Sequence, residues 1–219
     1  MKLGPIVCDA CVVINLLATG QEVRLVRALG AAILMAPLAH GEIRFLYGPP
    51  GEAGNPGIIP ANLRALEKAG LLEVRPIGEP GSRLHENLVR VASVTSQADA
   101  ESMAVASALA LPLATDDRKQ RRIFSTLFGG PMLSTLELVW EAARVLKLAN
   151  HEVRAMLAQL FKKGRFAPPR DGSDLPHGEW YRGHLEAAGV LQPAKQPDAP
   201  VTAASRKGGT SPRKRRAKG

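Results

Sequence analysis

Four widely separated acidic residues in this chain could share one chemical task. Asp9 ends an apolar run that predicts a strand, and Asp117 follows a later apolar run by two residues. Glu42 and Asp99 lie early in predicted helices that follow loops. In a parallel α/β sheet, ligands bind at the carboxyl ends of the strands, beside a topological switch point. All four carboxylates can therefore reach one crevice at this edge.

A group of unpaired carboxylates predicts a bound cation. Like charges that share a site repel one another, which raises some of their pKa values and costs stability. Hard divalent cations prefer oxygen ligands and neutralise this repulsion. We therefore expect the four acids to hold Mg²⁺ or Mn²⁺.

Each acid also has a purely structural alternative. Asp9 could cap the helix that follows it, and Asp99 stands three residues after Ser96, which is the spacing of a capping box. Glu42 would be an ordinary solvated helix residue, and Asp117 would be a turn residue. The joint placement of the four favours a shared site over four separate roles.

The remaining metal-ligating residue types offer no second site. Cys8 and Cys11 are three apart in an apolar run that predicts a strand, so their side chains would point to opposite faces. They can form neither a disulfide framework nor a zinc site without a second ligand pair, and we expect two small buried side chains. No convergent spacing relates the histidines, which are His40, His85, His151, His177 and His184.

Short apolar runs alternate with helical patterns along the first 130 residues. This alternation predicts a parallel sheet covered by helices on both faces. A stretch dense in Gly and Pro at 48–60 predicts a loop. Strands are expected near 4–8, 31–36, 71–75 and 111–115. Helices are expected near 21–29, 38–47, 61–70, 84–91 and 96–110.

Further helices are predicted towards the C-terminus. Ser134 and Glu137 have capping-box spacing and open a helix to about residue 148. Asn150 is expected to cap the next helix, and a weak helix is expected near 178–190. The predicted division of the chain is a domain at 1–165 (core 5–130, helical extension 131–165), a weakly structured segment at 166–192 and a disordered basic tail at 193–219.

Charge is concentrated at one end of the chain. The net charge is +9, but seven of the 29 Lys and Arg residues fall in 206–219, which holds no acid, so 22 basic and 20 acidic residues remain elsewhere. Such a tail could attract nucleic acid without sequence preference, or simply be solvated. The N-terminus has no secretory signal pattern and no apolar stretch is long enough for a membrane helix, so a soluble cytoplasmic protein with no membrane partner is expected.

Three segments carry a family resemblance. IVCDACVVINLL (6–17), LAHGEIRFL (38–46) and DAESMAVASALALPLATDD (99–117) together resemble the successive motifs of PIN-domain nucleases, which include the toxin ribonucleases of bacterial toxin–antitoxin pairs. The resemblance covers roughly residues 5–130. It implies a PIN-like three-layer α/β/α domain with a central parallel sheet, followed here by C-terminal helices and the basic tail.

The resemblance also assigns site residues. It makes Asp9, Glu42, Asp99 and Asp117 the acidic quartet, with Thr115 in the hydroxyl position before the last acid. It places Asn15 in the polar position after the first strand, and Asn15 and Thr115 are expected to contact substrate. Four basic residues, Arg118, Lys119, Arg121 and Arg122, follow the last acid directly, so they could hold substrate phosphates at the rim of the crevice or form a solvated helix face.

Three positions depart from this pattern. Cys11 stands where the family often has Ser or Thr, and Asp116 is an extra acid beside Asp117. Glu101 is an extra acid near Asp99, and residues two apart on a helix lie about 200° apart, so only one of these two can face the metal well. Asp99 is preferred, and Glu101 stays a candidate for the catalytic set.

The implied activity is Mg²⁺- or Mn²⁺-dependent hydrolysis of RNA phosphodiester bonds, with an antitoxin protein and a second copy of the chain as possible partners. The alternative is a catalytically inactive PIN-like module that binds RNA or protein. Aromatic residues make up only 4% of the chain, so phosphate and shape contacts are expected to dominate RNA binding.

Overall fold

Five short parallel strands form the centre of the fold in the computed structural model, which describes residues 2–50, 56–167, 169 and 175–192. The order of these strands across the sheet is β5-β2-β1-β6-β7, while β3 and β4 form a separate antiparallel hairpin. In chain order the strands are β1 (Gly4–Cys8), β2 (Ala31–Met35), β3 (Phe45–Pro50), β4 (Pro56–Pro60), β5 (Leu72–Val74), β6 (Leu113–Ala114) and β7 (Met132–Leu133).

Ten helices are present in the described part of the chain. They are α1 (Ala10–Ala18), α2 (Glu22–Ala28), α3 (Pro37–Glu42), α4 (Arg64–Lys68), α5 (Arg83–Ala92), α6 (Gln97–Leu109), α7 (Arg118–Phe128), α8 (Thr135–Val145), α9 (Asn150–Gly164) and α10 (Gly178–Ala187). None of the helices in these described ranges is long and apolar enough to span a membrane.

The order of the strands creates a switch point between β1 and β6. From β1 the chain runs outward to β2 and β5, and it then returns to place β6 on the other side of β1. Connections between parallel strands are right-handed, so the two crossovers place their helices on opposite faces of the sheet. The predicted α/β class with a central parallel sheet is confirmed. The carboxyl ends of β1 and β6 are where such a sheet binds ligands.

The strands are built from apolar runs because both faces of the sheet are covered. Ile6, Val7 and Cys8 in β1 are all buried, as are Leu113 and Ala114 in β6. A continuous apolar run, rather than an alternating one, is the pattern of a strand buried on both faces. The strands predicted near 4–8, 31–36, 71–75 and 111–115 are confirmed, the last two in shorter form. The two-residue strand β7 had no sequence signal.

One predicted helix and one predicted loop are wrong. The helix expected at 38–47 ends at Glu42, and the hairpin of β3 and β4 occupies part of the loop expected at 48–60. Residues 51–55 lie outside the described part of the chain. Aromatic and β-branched residues at 45–47 and 58–59 favour a strand, and a two-stranded ribbon tolerates Pro because each strand has an open edge.

The cysteines also differ from the prediction of a single strand. β1 ends at Cys8, and Cys11 lies in α1, because Asp9 caps that helix: its side chain accepts a hydrogen bond from the Val12 N–H. Both thiols are free, Cys8 is buried, and Cys11 is partly buried.

The C-terminal helices pack on this body. Ser134 caps α8 in a capping box with Glu137, as predicted. The N-cap of α9 is Ala149 rather than the predicted Asn150, which is the first residue of the helix. The Glu152 carboxylate accepts a hydrogen bond from the Ala149 N–H at 3.0 Å.

The helix predicted near 178–190 is confirmed as α10. It contacts α9, and its Tyr181 is fully buried, with the hydroxyl donating to the Phe166 carbonyl at 2.7 Å. The tail predicted to be disordered, 193–219, lies outside the described residues.

The close approach of α9 to α1 gives a stability prediction. A Cβ atom at Gly164 would lie 2.7 Å from the Asn15 Oδ1 atom, on a buried side chain held by its own hydrogen bonds. We expect Gly164→Ala to lower the free energy of unfolding by about 1–3 kcal/mol, measured by denaturant unfolding. Gly183→Ala in α10 is the control, because no atom lies within 4 Å of its Cβ position. Helix propensity should make that variant more stable by up to about 1 kcal/mol. Equal effects of the two substitutions would contradict the packing argument.

Candidate functional site

A small open cleft lies at the switch point of the sheet. It has a volume of about 130 Å³, and all four predicted acids, Asp9, Glu42, Asp99 and Asp117, line it. The other lining residues have short side chains and leave the carboxylates room; they are Ala10, Cys11, Ala39, Ala98 and Ser102. The fold therefore brings together acids that are up to 108 positions apart in the sequence.

Asp9 lies at the base of this cleft and is 7% exposed. Its N–H donates to the Ala114 carbonyl at 3.1 Å, which extends the pairing of β1 with β6 by one residue. Its Oδ2 atom accepts a hydrogen bond from the Thr115 hydroxyl at 2.5 Å. Its Oδ1 atom accepts from the Cys11 thiol at 2.9 Å and from the Val12 N–H at 3.0 Å. Both carboxylate oxygens are therefore oriented.

Cys11 supplies the hydrogen bond that a hydroxyl residue would provide at this position. Burial is the main cause that raises the pKa of the Cys11 thiol well above its usual value, and the charge of Asp9 adds to the shift. The thiol therefore keeps its proton and remains a donor. Although Cys11 departs from the Ser or Thr of the family pattern, its thiol still donates a hydrogen bond to the Asp9 carboxylate.

Burial makes the Asp9 carboxyl hold its proton more tightly. Burial raises its pKa to about 6 from an ordinary value of 3.8, and the charge of Asp116 raises it further. The hydrogen bonds from Cys11, Thr115 and Val12 oppose this shift. A nearby positive charge would favour the ionised form of the carboxyl.

Glu42 and Asp99 enter the cleft from two other helices. Glu42 is the last residue of α3, and it is exposed. Asp99 lies in the first turn of α6, where its Oδ2 atom accepts a hydrogen bond from the Thr95 hydroxyl at 3.0 Å. The predicted Ser96 cap is present, because the Ser96 hydroxyl accepts the Asp99 N–H at 3.2 Å. Asp99 thus combines a place in the cleft with a structural contact.

Asp117 is the N-cap of α7. Its Oδ1 atom accepts from the Gln120 N–H at 2.8 Å, and its own N–H donates to the Thr115 hydroxyl oxygen at 3.1 Å. The Thr115 side chain therefore connects two of the four acids. Because Thr115 is fully buried, the structure places it beneath Asp9 and Asp117 and not on a surface that substrate could contact.

Three helix N-termini point towards the carboxylates. Asp9 caps α1, Asp117 caps α7, and Asp99 lies in the first turn of α6. The positive end of a helix dipole stabilises a nearby anion by about 0.3–1 kcal/mol. These dipoles offset part of the repulsion among the acids.

Glu101 does not line the cleft. It is 6% exposed, and its Oε2 atom accepts a hydrogen bond from the Leu38 N–H at 3.1 Å. Leu38 lies in the first turn of α3, where backbone N–H groups have no partner within the helix. The structure therefore gives Glu101 the task of holding the helix that carries Glu42, and it places Asp99 in the cleft.

Asp116, which is partly buried, forms a second polar cluster with the buried residues Thr135 and Asn15. It accepts hydrogen bonds from the N–H of Thr135 at 2.9 Å, from the Thr135 hydroxyl at 2.5 Å and from the Asn15 side-chain amide at 3.1 Å. Burial raises the pKa of Asp116, and the hydrogen bonds from Thr135 and Asn15 oppose the shift. Asn15, predicted to contact substrate, is 5% exposed and is engaged in this cluster. The role of Thr135 had no signal in the sequence.

The predicted basic residues lie on the α7 side of the cleft. Arg118 and Lys119 follow Asp117 directly, and both are exposed, as is Arg122 one turn later. Arg121 is different: it is 9% exposed, and its guanidinium donates to the carbonyls of Thr115 and Leu133. It therefore holds the ends of β6 and β7 in place, while its neighbours face solvent near the cleft.

The residue types of the cleft fit a divalent cation, but their side chains are not placed to bind one ion together. Four carboxylates face one cleft, but the described residues contain no group of three His, Cys, Asp or Glu side chains already placed to ligate one ion. The hydrogen bonds to Thr95 and Gln120 hold two of the carboxylates in other directions. Side-chain rotation of Glu42, Asp99 and Asp117 towards Asp9 would be needed to form a metal centre.

Comparison with known proteins yields no relative. No protein-family model, no curated protein and no solved structure matches this chain. The resemblance to PIN-domain nucleases thus stays a prediction from the motifs.

Burial of Asp9 predicts how stability depends on pH. The folded protein binds the Asp9 proton more tightly than the unfolded chain does, so the stabilisation is fully present below about pH 4 and is lost as the pH rises through about 6. In the absence of metal we expect Asp9→Asn to raise the free energy of unfolding by roughly 2 kcal/mol at pH 7 and to change it little at pH 4. Asn retains the helix cap. Denaturant unfolding at both pH values tests this, and a difference that is the same at pH 4 and pH 7 would contradict it.

Substitutions of Asp99 and Glu101, the two candidates for the third acid, should have different effects on stability and on the response to Mn²⁺. Glu101→Ala leaves the Leu38 N–H without its acceptor, and we expect it to lower the free energy of unfolding by about 1–3 kcal/mol. Glu101→Gln retains an acceptor oxygen and should lose less. Asp99→Asn should change stability little in EDTA but reduce the rise in unfolding temperature that Mn²⁺ produces. If Glu101→Gln rather than Asp99→Asn abolished that rise, Glu101 would be the metal ligand.

Proposed function

We propose that the protein is a divalent-metal-dependent endoribonuclease that hydrolyses RNA phosphodiester bonds. The observation that carries this proposal is the meeting of Asp9, Glu42, Asp99 and Asp117 around one cleft at the switch point of the parallel sheet. The resemblance of the three motifs to PIN-domain nucleases supports RNA as the substrate and a PIN-like fold.

The carboxylates of the cleft would hold Mg²⁺ or Mn²⁺. Asp9 is the best-positioned ligand, because hydrogen bonds orient both of its carboxylate oxygens. Asp117 would join it after its side chain turns away from the Gln120 N–H. A bound divalent ion lowers the pKa of water and stabilises charge on phosphate oxygens. The raised pKa of Asp9 supports this assignment, since a cation removes the electrostatic cost of keeping that buried carboxyl ionised.

The protein's own side chains would orient and attract the substrate. Cys11 and Thr115 hold the two oxygens of Asp9, so the carboxylate presents a fixed direction to the cleft. Arg118 and Lys119 are exposed in the first turn of α7, directly after Asp117, where they can pair with phosphates of the RNA strand. Arg122 extends the same exposed face by one turn.

A role as the toxin of a toxin–antitoxin pair is part of the proposal only through the family resemblance. In that role, a peptide of the antitoxin would fill the acidic cleft and block it. We also propose a homodimer through the helical segment 134–161, because amphipathic helices can pair with a second copy as well as pack on their own domain. Both partners belong to the same proposal as the nuclease activity.

Metal-dependent cleavage is the direct test. The full chain is incubated with a mixture of single-stranded RNAs in Mg²⁺, in Mn²⁺ and in EDTA, and the products are resolved on a denaturing gel. We expect cleavage with either metal and none in EDTA. Asp9→Asn and Asp117→Asn should each reduce the rate by about 100-fold or more. Glu67→Gln is the matched control, because Glu67 is an exposed acid on α4 that does not line the cleft.

Two results would contradict the proposal. One is the absence of hydrolysis in both metals, and the other is full activity after Asp9→Asn. RNA binding that persists in EDTA and in Asp117→Asn, but weakens when residues 206–219 are removed, would instead favour the inactive binding module.

A further inference from the structure

A second groove adjoins the acidic cleft and has a different chemical character. Its volume is about 440 Å³, which lies in the range of about 300–1,000 Å³ that small-molecule sites occupy. It shares Cys11 and Glu42 with the acidic cleft, so the two spaces lie side by side. Most of its surface is apolar, and its charged lining residues are Glu42, Asp116 and Arg165. A mainly apolar surface with a few polar groups is the usual composition of a ligand site.

One wall of the groove is aromatic. Phe45 and Tyr47 project from β3 with ring centroids 5.8 Å apart and planes at 90°. The Arg165 guanidinium lies over the Tyr47 ring, 4.6 Å from its centroid. Phe45 is 40% exposed, so part of its ring is open to a ligand. The wall thus combines two aromatic rings and one planar cation.

Arg165 is placed there by an unfavourable backbone conformation. It follows the last residue of α9 with φ = 56°, in the left-handed region where glycine usually ends a helix. The preceding Gly164 permits close contact of α9 with α1, because a Cβ atom there would lie 2.7 Å from the Asn15 Oδ1 atom. The end of α9 thus brings the Arg165 guanidinium over the Tyr47 ring.

We propose that this groove is a nucleobase subsite, which receives the base of the nucleotide whose phosphate lies at the acidic cleft. This inference rests on the proposed function. Nucleobases are planar, and single-stranded RNA is commonly held by stacking its bases on aromatic rings and on Arg guanidinium planes. The two spaces adjoin at Cys11 and Glu42, so the base and the phosphate of one nucleotide can lie on either side of these residues.

The subsite implies a preference for unpaired RNA. A base can enter the groove only after it leaves its stack in a helix, and bases in loops and single strands are already free to do so. Stacking on a ring tolerates every base, so the subsite would select single-stranded RNA rather than one sequence.

Binding experiments can separate base contacts from phosphate contacts. A fluorescein-labelled single-stranded RNA octamer is titrated with the full chain in Ca²⁺, alongside the same octamer in which successive single positions are abasic. For the wild type we expect one abasic position to weaken binding by about tenfold. Tyr47→Ala should weaken binding of the intact octamer by about tenfold and leave binding of that abasic octamer unchanged. Tyr47→Phe keeps the ring and should bind like the wild type.

Arg165→Gly separates binding from folding. It removes the guanidinium but supplies the residue that prefers a left-handed conformation, so its unfolding temperature should equal or exceed that of the wild type. We nevertheless expect it to bind the intact octamer several-fold more weakly. A stable variant that binds RNA less well cannot be explained by damage to the fold.

The outcomes distinguish the subsite from the nuclease activity. Three results would overturn the subsite. One is that Tyr47→Ala weakens binding of the intact and the abasic octamer equally, and another is that Tyr47→Ala and Arg165→Gly bind RNA like the wild type. The third is that the wild type does not bind RNA. Cleavage in Mn²⁺ with any of these results would leave the nuclease proposal standing. Base-dependent binding without cleavage in Mg²⁺ or Mn²⁺ would support the subsite and refute the nuclease.

Discussion

The parallel pairing of β1 with β6 is the constraint on which the candidate site depends. Their register sets Cys8 opposite Ala114, so the next residue of each strand, Asp9 and Thr115, leaves the sheet at the same point. The backbone hydrogen bond from Asp9 to Ala114 and the side-chain bond from Thr115 to Asp9 fix this junction. A shift of one residue in this pairing would separate Asp9 from Thr115 and, through Thr115, from Asp117. The short and fully buried strand β6 is thus decisive for the chemistry despite having only two residues.

Asp9 and Asp117 cap helices and also line the acidic cleft, so a structural role does not exclude a place in the candidate site. Asp9 and Asp117 each cap a helix, and capping gives both carboxylates a fixed direction at the same edge of the sheet. The helix dipoles reduce the repulsion between the acids. Burial nevertheless keeps the pKa of Asp9 raised, so the protein retains an electrostatic cost at this residue. Such a cost at the base of an open cleft is characteristic of functional sites, where perturbed pKa values concentrate.

The acidic cleft and the aromatic groove differ in chemical character. The cleft presents carboxylates at a point where a cation and a phosphate would meet, and the groove presents flat apolar surfaces with one guanidinium. Both depend on elements far apart in the chain, since β3 and the end of α9 form the aromatic wall. The chain has nine Phe, Tyr and Trp residues, and three of them, Phe45, Tyr47 and Phe166, line this groove. A low aromatic content therefore does not exclude a local stacking surface.

The sequence by itself determined the α/β class, most of the strands, the capping box of α8 and the candidate acids, because these depend on local signals: apolar runs, cap spacing and acids after strands. The tertiary structure alone decided which acids meet. It assigned Glu101 to the N-terminus of α3 and Asp116 to a polar cluster with Thr135, since these contacts join residues 63 and 19 positions apart. It also replaced a predicted helix and loop by the β3–β4 hairpin, because strand pairing is a non-local interaction that outweighs local helix propensity. The spacing of residues along the chain indicates which side chains could share a site, and tertiary packing determines which of them are in contact.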